Sequence, residues 1–146
     1  KNVADKKLPL LGICLGAQLL LQKSEEFGTT DGLGIIKGAV KPINLFNIKK
    51  KKIIIPHIGW ANIVSTNDVE NKDNLLFKDL NKDDFFYFVH SYVSKPLTKE
   101  QILYKTNYED IDITAIHGTD NVYGFQFHPE KSGLSGLKLL KNFLLL

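Results

Sequence analysis

Leu10, Leu11 and Ile13 form a short apolar run, and residues 15–23 follow as continuous apolar or helix-favouring sequence. The first has the length of a buried strand and the second reads as a helix. Residues 27–38 are turn-rich, with glycines punctuating the apolar pair Ile35 and Ile36. Residues 40–46 read as a strand that Pro42 demotes towards a sheet edge. A polar turn at 47–52 leads to a β-branched strand at 53–55, closed by Pro56, and PHIGW at 56–60 reads as a loop. A strand pattern at 61–65, a polar loop at 66–74 and a short helical turn at 75–80 come next. FFYFVHSYV at 85–93 is the most strand-like run, and its continuous aromatic and β-branched character predicts a central position. Strands at 102–106 and 113–116, a hairpin-type turn GTDN at 118–121, a buried-type strand at 122–127 and a helix over 134–146 complete the chain. Residues 1–7, KNVADKK, read as the end of an exposed helix.

Strand–helix units at both ends and a strand-rich middle predict an α/β protein with a mixed sheet and an antiparallel or meander insertion. The 146 residues, 43% hydrophobic and 24% charged, make one domain of ordinary soluble composition, with no repeat or linker. No apolar run reaches a membrane span and no signal-type segment opens the chain, so no membrane partner is expected. The single cysteine excludes an internal disulfide and suits a reducing, cytoplasmic compartment. Net charge is +3, with much of the excess in Lys49, Lys50, Lys51 and Lys52. Such a run bordering a strand reads as a solvated loop, and no nucleic-acid partner is expected. His57, His90, His117 and His128 lack ligand-like spacing, so neither a metal nor another cofactor is expected. There is no methionine, and Lys1 is not a natural start. The chain is therefore expected to lack its beginning.

Cys14 stands between the first strand and the first helix, flanked by Gly12 and Gly16. A side chain at the tip of a sharp strand-to-helix turn takes a strained backbone conformation, and glycines two positions away remove clashes. This is the nucleophile-elbow pattern with cysteine in place of serine. The helix N-terminus is expected to favour thiolate, and the amide of Leu15 is placed to donate to a developing oxyanion. A buried structural cysteine in a Gly-punctuated turn is the plainer interpretation, and the stretch alone leaves both open.

His128 ends the late strand, so it and Cys14 both fall at the carboxyl ends of predicted strands, where ligands bind in α/β sheets. A cysteine nucleophile needs a base, and that base an orienting acceptor. Pro129 biases His128 towards extended backbone, and in an extended segment Glu130 would reach back to the His128 ring. A strand-end histidine beside a surface glutamate is the purely structural interpretation.

GICLGAQ at 12–18 and FHPEKSG at 127–133 resemble the two signatures of class I, triad-type glutamine amidotransferases. PHIGW at 56–60, YFVHSY at 87–92 and GLKLLKNF at 136–143 resemble, more narrowly, the glutaminase subunits of imidazole glycerol phosphate synthases. The resemblance covers nearly the whole chain from Leu8 onwards. It implies a flavodoxin-like amidotransferase fold with a mixed central sheet, of which the N-terminal strands are missing. It also implies that Cys14 attacks the side-chain amide of L-glutamine, His128 protonates the departing ammonia, and Glu130 orients His128. Gln18, Glu26 and the backbone around His90 and Ser91 would hold the substrate. Helical spacing places Gln18 one turn from Cys14. Glu26 lies beyond reach along a straight helix at ~1.5 Å per residue and must approach by another path. Trp60 and Lys131 match positions that face a (β/α)8-barrel synthase subunit, which makes imidazole glycerol phosphate and AICAR in histidine biosynthesis.

Two features depart from the family pattern. The Gly-rich, PGVG-like loop that supplies a second oxyanion donor has no counterpart in residues 1–8, so these residues alone are expected to be inactive or unstable. Loss of one such donor costs on the order of 10²–10³ in rate. Ala61 stands where asparagine usually follows the tryptophan, which leaves open a related subunit feeding a sugar-modifying synthase for surface polysaccharide. The same residues would also suit a free-standing cysteine hydrolase, or a non-catalytic module that keeps only the fold. Intact Cys14, His128 and Glu130 argue against the non-catalytic module.

Overall fold

The computed structural model describes Lys6, residues 8–66 and residues 74–146; the exposed-helix reading of KNVADKK and most of the loop at 66–74 lie outside the described residues. The first unit is β1 (Leu10–Ile13) followed by α1 (Leu15–Leu19), then β2 (Leu21–Ser24), β3 (Thr30–Asp31) and β4 (Ile36–Pro42). The expected helix over 15–23 therefore stops at Leu19. Leu21 pairs with Ile36 and Lys23 with Ala39 in parallel register, so sheet pairing overrides the helix propensity of the second half. Pro42 closes β4, as its missing N–H requires.

The middle of the chain contains β5 (His57–Asn62), β6 (Val64–Ser65), β7 (Phe85–His90), β8 (Tyr92–Pro96) and β9 (Ile102–Tyr108). PHIGW is thus mostly strand rather than loop, because β5 zips antiparallel to β7 from His57↔His90 to Asn62↔Phe85. Residues 53–55 form no strand; the pairing next to them is a single bridge between Phe46 and Lys52. The run 85–93 breaks at Ser91 into two strands that join different sheets, and β7 pairs only with β5 among the described residues. A central position for this run is therefore not what the chain adopts.

β10 (Ile111–Thr119), β11 (Val122–Phe125) and α2 (Gly133–Phe143) complete the fold. Among the described residues the expected mixed sheet is the five-stranded one, in the order β1-β11-β10-β9-β6, and two further hydrogen-bonded sheets, β3-β2-β4-β8 and β5-β7, stand beside it in the topology. Parallel pairs (β1 with β11, β2 with β4) and antiparallel ones coexist, so the α/β mixed character holds. The predicted GTDN turn closes the β10–β11 hairpin, with Asp120 at φ 49°. None of the described helices is long and apolar enough to cross a membrane.

The main core joins Phe86 and Phe88 of β7, Ile116 of β10, Phe125, Phe127 and Leu139 of α2. Phe127 stacks on Phe125 at 5.2 Å and tilts against Phe86 at 4.4 Å, filling the space between the β5–β7 ribbon and the five-stranded sheet. These buried rings fix the segment that leads out to His128. The helix α2 closes on that segment at Gly136, where a Cβ would lie 1.9 Å from the Pro129 carbonyl oxygen. Most of the lysine run is solvated as expected, with Lys49 paired to Asp110 at 2.8 Å and Lys51 to Glu109 at 3.5 Å.

Candidate active site

Cys14 occupies the one residue between β1 and α1, at φ 50° and ψ −108°. Positive φ is costly for a side chain with a Cβ and persists where the surroundings impose it. Here the imposing contacts are the parallel pairing of β1 with β11 and a 2.7 Å bond from the Cys14 N–H to the Phe125 carbonyl. Gly12 is indispensable to the turn, since a Cβ there would lie 2.5 Å from the Gly16 oxygen and 2.7 Å from the Ala17 nitrogen. Gly16 differs: a Cβ would meet nothing within 4 Å. Only one of the two flanking glycines is therefore required by close packing.

The resting charge of Cys14 is opposite to expectation. Burial pushes its pKa up, the Leu15 amide pulls it down, and the carboxylates of Glu130 and Glu26 push it up further. α1 has only five residues, too short to outweigh burial beside two anions. The group rests as a thiol, and a nucleophilic role needs a base.

The candidate base lies beyond the end of the neighbouring strand. Ile13 pairs with Phe125, so the chain leaves both strands at the same end, Cys14 one residue on and His128 three. His128 Nδ1 lies 2.6 Å from Glu130 Oε1. A carboxylate accepts, so Nδ1 carries the proton and Nε2 is free to accept one. Glu130 reaches back through a 3₁₀ turn, Pro129–Lys131, and not along the extended segment expected. The turn is pinned to β7: the His128 N–H donates to the Tyr87 carbonyl at 2.9 Å, the Tyr87 N–H to Ser132 Oγ at 2.9 Å, and Ser132 Oγ–H to the His128 carbonyl at 2.6 Å.

The remaining candidates fall in two groups. Gln18 is buried one turn after Cys14, its Nε2 donating to the Tyr92 carbonyl at 3.1 Å and to Gln126 Oε1 at 3.3 Å. His90 is buried, and Ser91 follows it at the break between β7 and β8. Glu26 is half-buried just beyond β2, and its carboxylate pushes the Cys14 pKa up. Trp60 stands apart on the outer face of β5, 56% exposed, edge-on to Tyr87 at 5.9 Å. Lys131 is exposed at the end of the 3₁₀ turn.

Three participants are absent from the sequence-derived candidates: His57 and Tyr92, which lie inside PHIGW and YFVHSY, and Gln126, which lies in no motif. The Tyr92 carbonyl accepts from both His90 Nδ1 and Gln18, and His57 Nδ1 meets His90 Nε2 at 3.0 Å. A backbone acceptor leaves no mark in sequence. The register His57↔His90 becomes readable only when PHIGW is taken as a strand opposite FFYFVH.

A strained cysteine elbow and a His–Glu pair at the ends of neighbouring parallel strands have the make-up of a cysteine-dependent amidohydrolase site on an α/β scaffold. The match to glutamine amidotransferase class-I runs over residues 1–146, and the chain belongs to that family. It is 41% identical over 144 residues to the imidazole glycerol phosphate synthase subunit HisH 1 of Legionella pneumophila (strain Lens), covering 99% of this chain and 68% of that one. Against the subunit HisH 1 of Methanococcus maripaludis the identity is 46% over 143 residues, covering 98% and 64%. The chain thus spans about two thirds of the length of these relatives. A crystal structure of a glutamine amidotransferase from Thermotoga maritima shares the fold, with a TM-score of 0.58 at 17% identity over 99% of this chain and 48% of that one.

Proposed function

We propose that this chain hydrolyses L-glutamine as the glutaminase subunit of an imidazole glycerol phosphate synthase. The observation that carries the reading is the His128–Glu130 pair at the strand end beside Cys14. His128 Nε2 takes the Cys14 proton as Sγ bonds to the side-chain amide carbon of glutamine. The carbonyl oxygen becomes an oxyanion and accepts from the Leu15 amide, which already points at the sulfur. Collapse breaks the C–N bond, His128 returns its proton to the departing nitrogen, and ammonia leaves a glutamyl thioester. Water, deprotonated by His128, then attacks the thioester; glutamate leaves and the thiol reforms. Glu130 holds the ring in one tautomer and stabilises the imidazolium in both halves.

Gln18, Glu26 and the backbone at His90 and Ser91 line the substrate side. Glu26 suits the α-ammonium of glutamine. Trp60, with Ile58 exposed on the same face of β5, and Lys131 offer a surface to a (β/α)8-barrel synthase subunit that takes the ammonia and makes imidazole glycerol phosphate and AICAR. The relatives at 41% and 46% identity support this acceptor over a sugar-modifying synthase. Ala61 packs against the main core and does not face the exposed surface, so its departure from asparagine bears on packing more than on the acceptor.

A glutamine-mimicking chloroketone tests the reading in the complete protein. It should label Cys14, more quickly with the synthase subunit bound, and abolish release of glutamate. Absence of both labelling and glutamate release with the partner present would overturn it.

A further inference from the structure

We propose that His57 is a positioning residue of the glutamine site, orienting Gln18 through His90 and the carbonyl of Tyr92; the inference rests on the glutaminase reading above. The direction of every bond in this chain follows from one acceptor. The Tyr92 oxygen can only accept, so His90 Nδ1, at 2.9 Å, carries the proton. Burial pushes the pKa of both His57 and His90 down to about 4, so both rings are neutral near pH 7. A neutral ring protonated at Nδ1 has a bare Nε2, and His90 Nε2 must therefore accept from His57 Nδ1, at 3.0 Å.

The same carbonyl receives the amide of Gln18, whose second hydrogen is met by Gln126 Oε1. Acceptors on both inner sides determine which end of the Gln18 amide faces inward. The nitrogen uses its two hydrogens there, and Oε1 is the atom left to meet a substrate donor, such as the ammonium or side-chain amide of glutamine. His57 cannot easily turn out of this arrangement. It is stacked between Phe88 at 4.9 Å and Tyr108 at 4.1 Å, and the Tyr108 hydroxyl is itself held by the Ile54 carbonyl at 2.9 Å. A phenyl ring would fill that slot without the cost of desolvating an imidazole. What the imidazole adds is the donor at Nδ1.

Two substitutions separate positioning from packing. His57→Phe keeps the aromatic stack and removes the donor; His57→Asn places an amide nitrogen near Nδ1 and gives up most of the stack. In the complete protein with the synthase subunit, His57→Phe should raise KM for glutamine about tenfold, the effect of one lost hydrogen bond. Its kcat should change less than about twofold, and His57→Asn should restore KM despite a lower melting temperature. The Gln18 side-chain amide resonances should move in His57→Phe and stay in His57→Asn. A KM that follows melting temperature across the two variants, or Gln18 resonances that do not move in His57→Phe, would overturn the proposal. Should the wild-type complex release no glutamate, the glutaminase reading fails, and the Gln18 resonances still decide whether His57 sets that side chain.

Discussion

His128 Nδ1 and Glu130 Oε1 are 2.6 Å apart although only Pro129 separates the two residues, because Pro129–Lys131 winds into a 3₁₀ turn. The same carboxylate raises the pKa of Cys14. Glu130→Gln therefore separates two effects. Glutaminase kcat should fall on the order of 10²–10⁴, since the imidazolium loses its counter-charge and its fixed tautomer. Alkylation of Cys14 by a small neutral reagent at pH 8 should become faster, since the thiol pKa falls. Parallel loss of both rates would show that Glu130 does not act on Cys14 through its charge.

The backbone of Cys14 at φ 50° stores strain that only glycine would relieve. Cys14→Gly should abolish turnover and raise stability by about 1–3 kcal/mol, the cost of a side chain in such a region. Chemical denaturation of Cys14→Gly and Cys14→Ala measures this. Equal stabilities would mean that the elbow carries no strain.

Gly12 and Gly16 flank the same cysteine and should respond differently to alanine. At Gly12 the new methyl would sit 2.5 Å from backbone that cannot move without shifting α1, so Gly12→Ala should cost about 1–3 kcal/mol or more and displace Cys14. At Gly16 the methyl meets nothing within 4 Å, so Gly16→Ala should leave thermal stability nearly unchanged. If glutamine turnover falls in Gly16→Ala at constant stability, the open space there belongs to the substrate.

These glycines mark how far the sequence could be read. The elbow was legible because strand, glycine, cysteine and helix lie within one short stretch, and His128 was legible because it too ends a strand. That the two strands are neighbours depends on Ile13 pairing with Phe125, across more than a hundred residues, and no local pattern encodes that. Leu19 and Leu21 are equally apolar, yet one ends a helix and the other starts a strand, because only Leu21 finds Ile36 to pair with. PHIGW has the look of a loop because Pro56 and Gly59 punctuate it. β7 supplies a partner for every residue from His57 to Asn62, and Gly59 takes φ 145° within the strand. The thiol's raised pKa was hidden for a related reason. Burial and two carboxylates act on Cys14 across folds of the chain, Glu26 from beyond β2 and Glu130 from more than a hundred residues away.

Trp60 packs only its edge on Tyr87 and leaves most of its surface to solvent. Trp60→Ala should therefore change the free chain's stability by less than about 1 kcal/mol. Its affinity for the synthase subunit should fall by about 2 kcal/mol or more, the behaviour of a buried aromatic anchor. Calorimetric titration beside a thermal melt distinguishes the two losses, and an unchanged affinity would remove Trp60 from the interface.

Acid should destabilise the protein through its buried histidines. Burial lowers the pKa of His57, His90 and His117 from 6.5 to about 4. The unfolded chain binds protons at these rings near pH 6.5 while the folded chain resists them, so protonation favours unfolding. The stability they contribute is fully present above pH 6.5 and is lost as pH falls towards 4. Each ring contributes a slope of up to about 1.4 kcal/mol per pH unit within that window. Melting temperature should be flat in this respect between pH 7 and 8 and fall steadily from pH 6.5 to 4.5. His57→Asn should lessen the fall by one ring's share, because it removes a titrating group and keeps the donor to His90. A melting temperature that holds constant from pH 6.5 to 4.5 would mean that the rings take up protons in place. His90 would then gain a proton at Nε2, the nitrogen that accepts from His57, and the inward chain of bonds from His57 to Tyr92 could not be the one that orients Gln18.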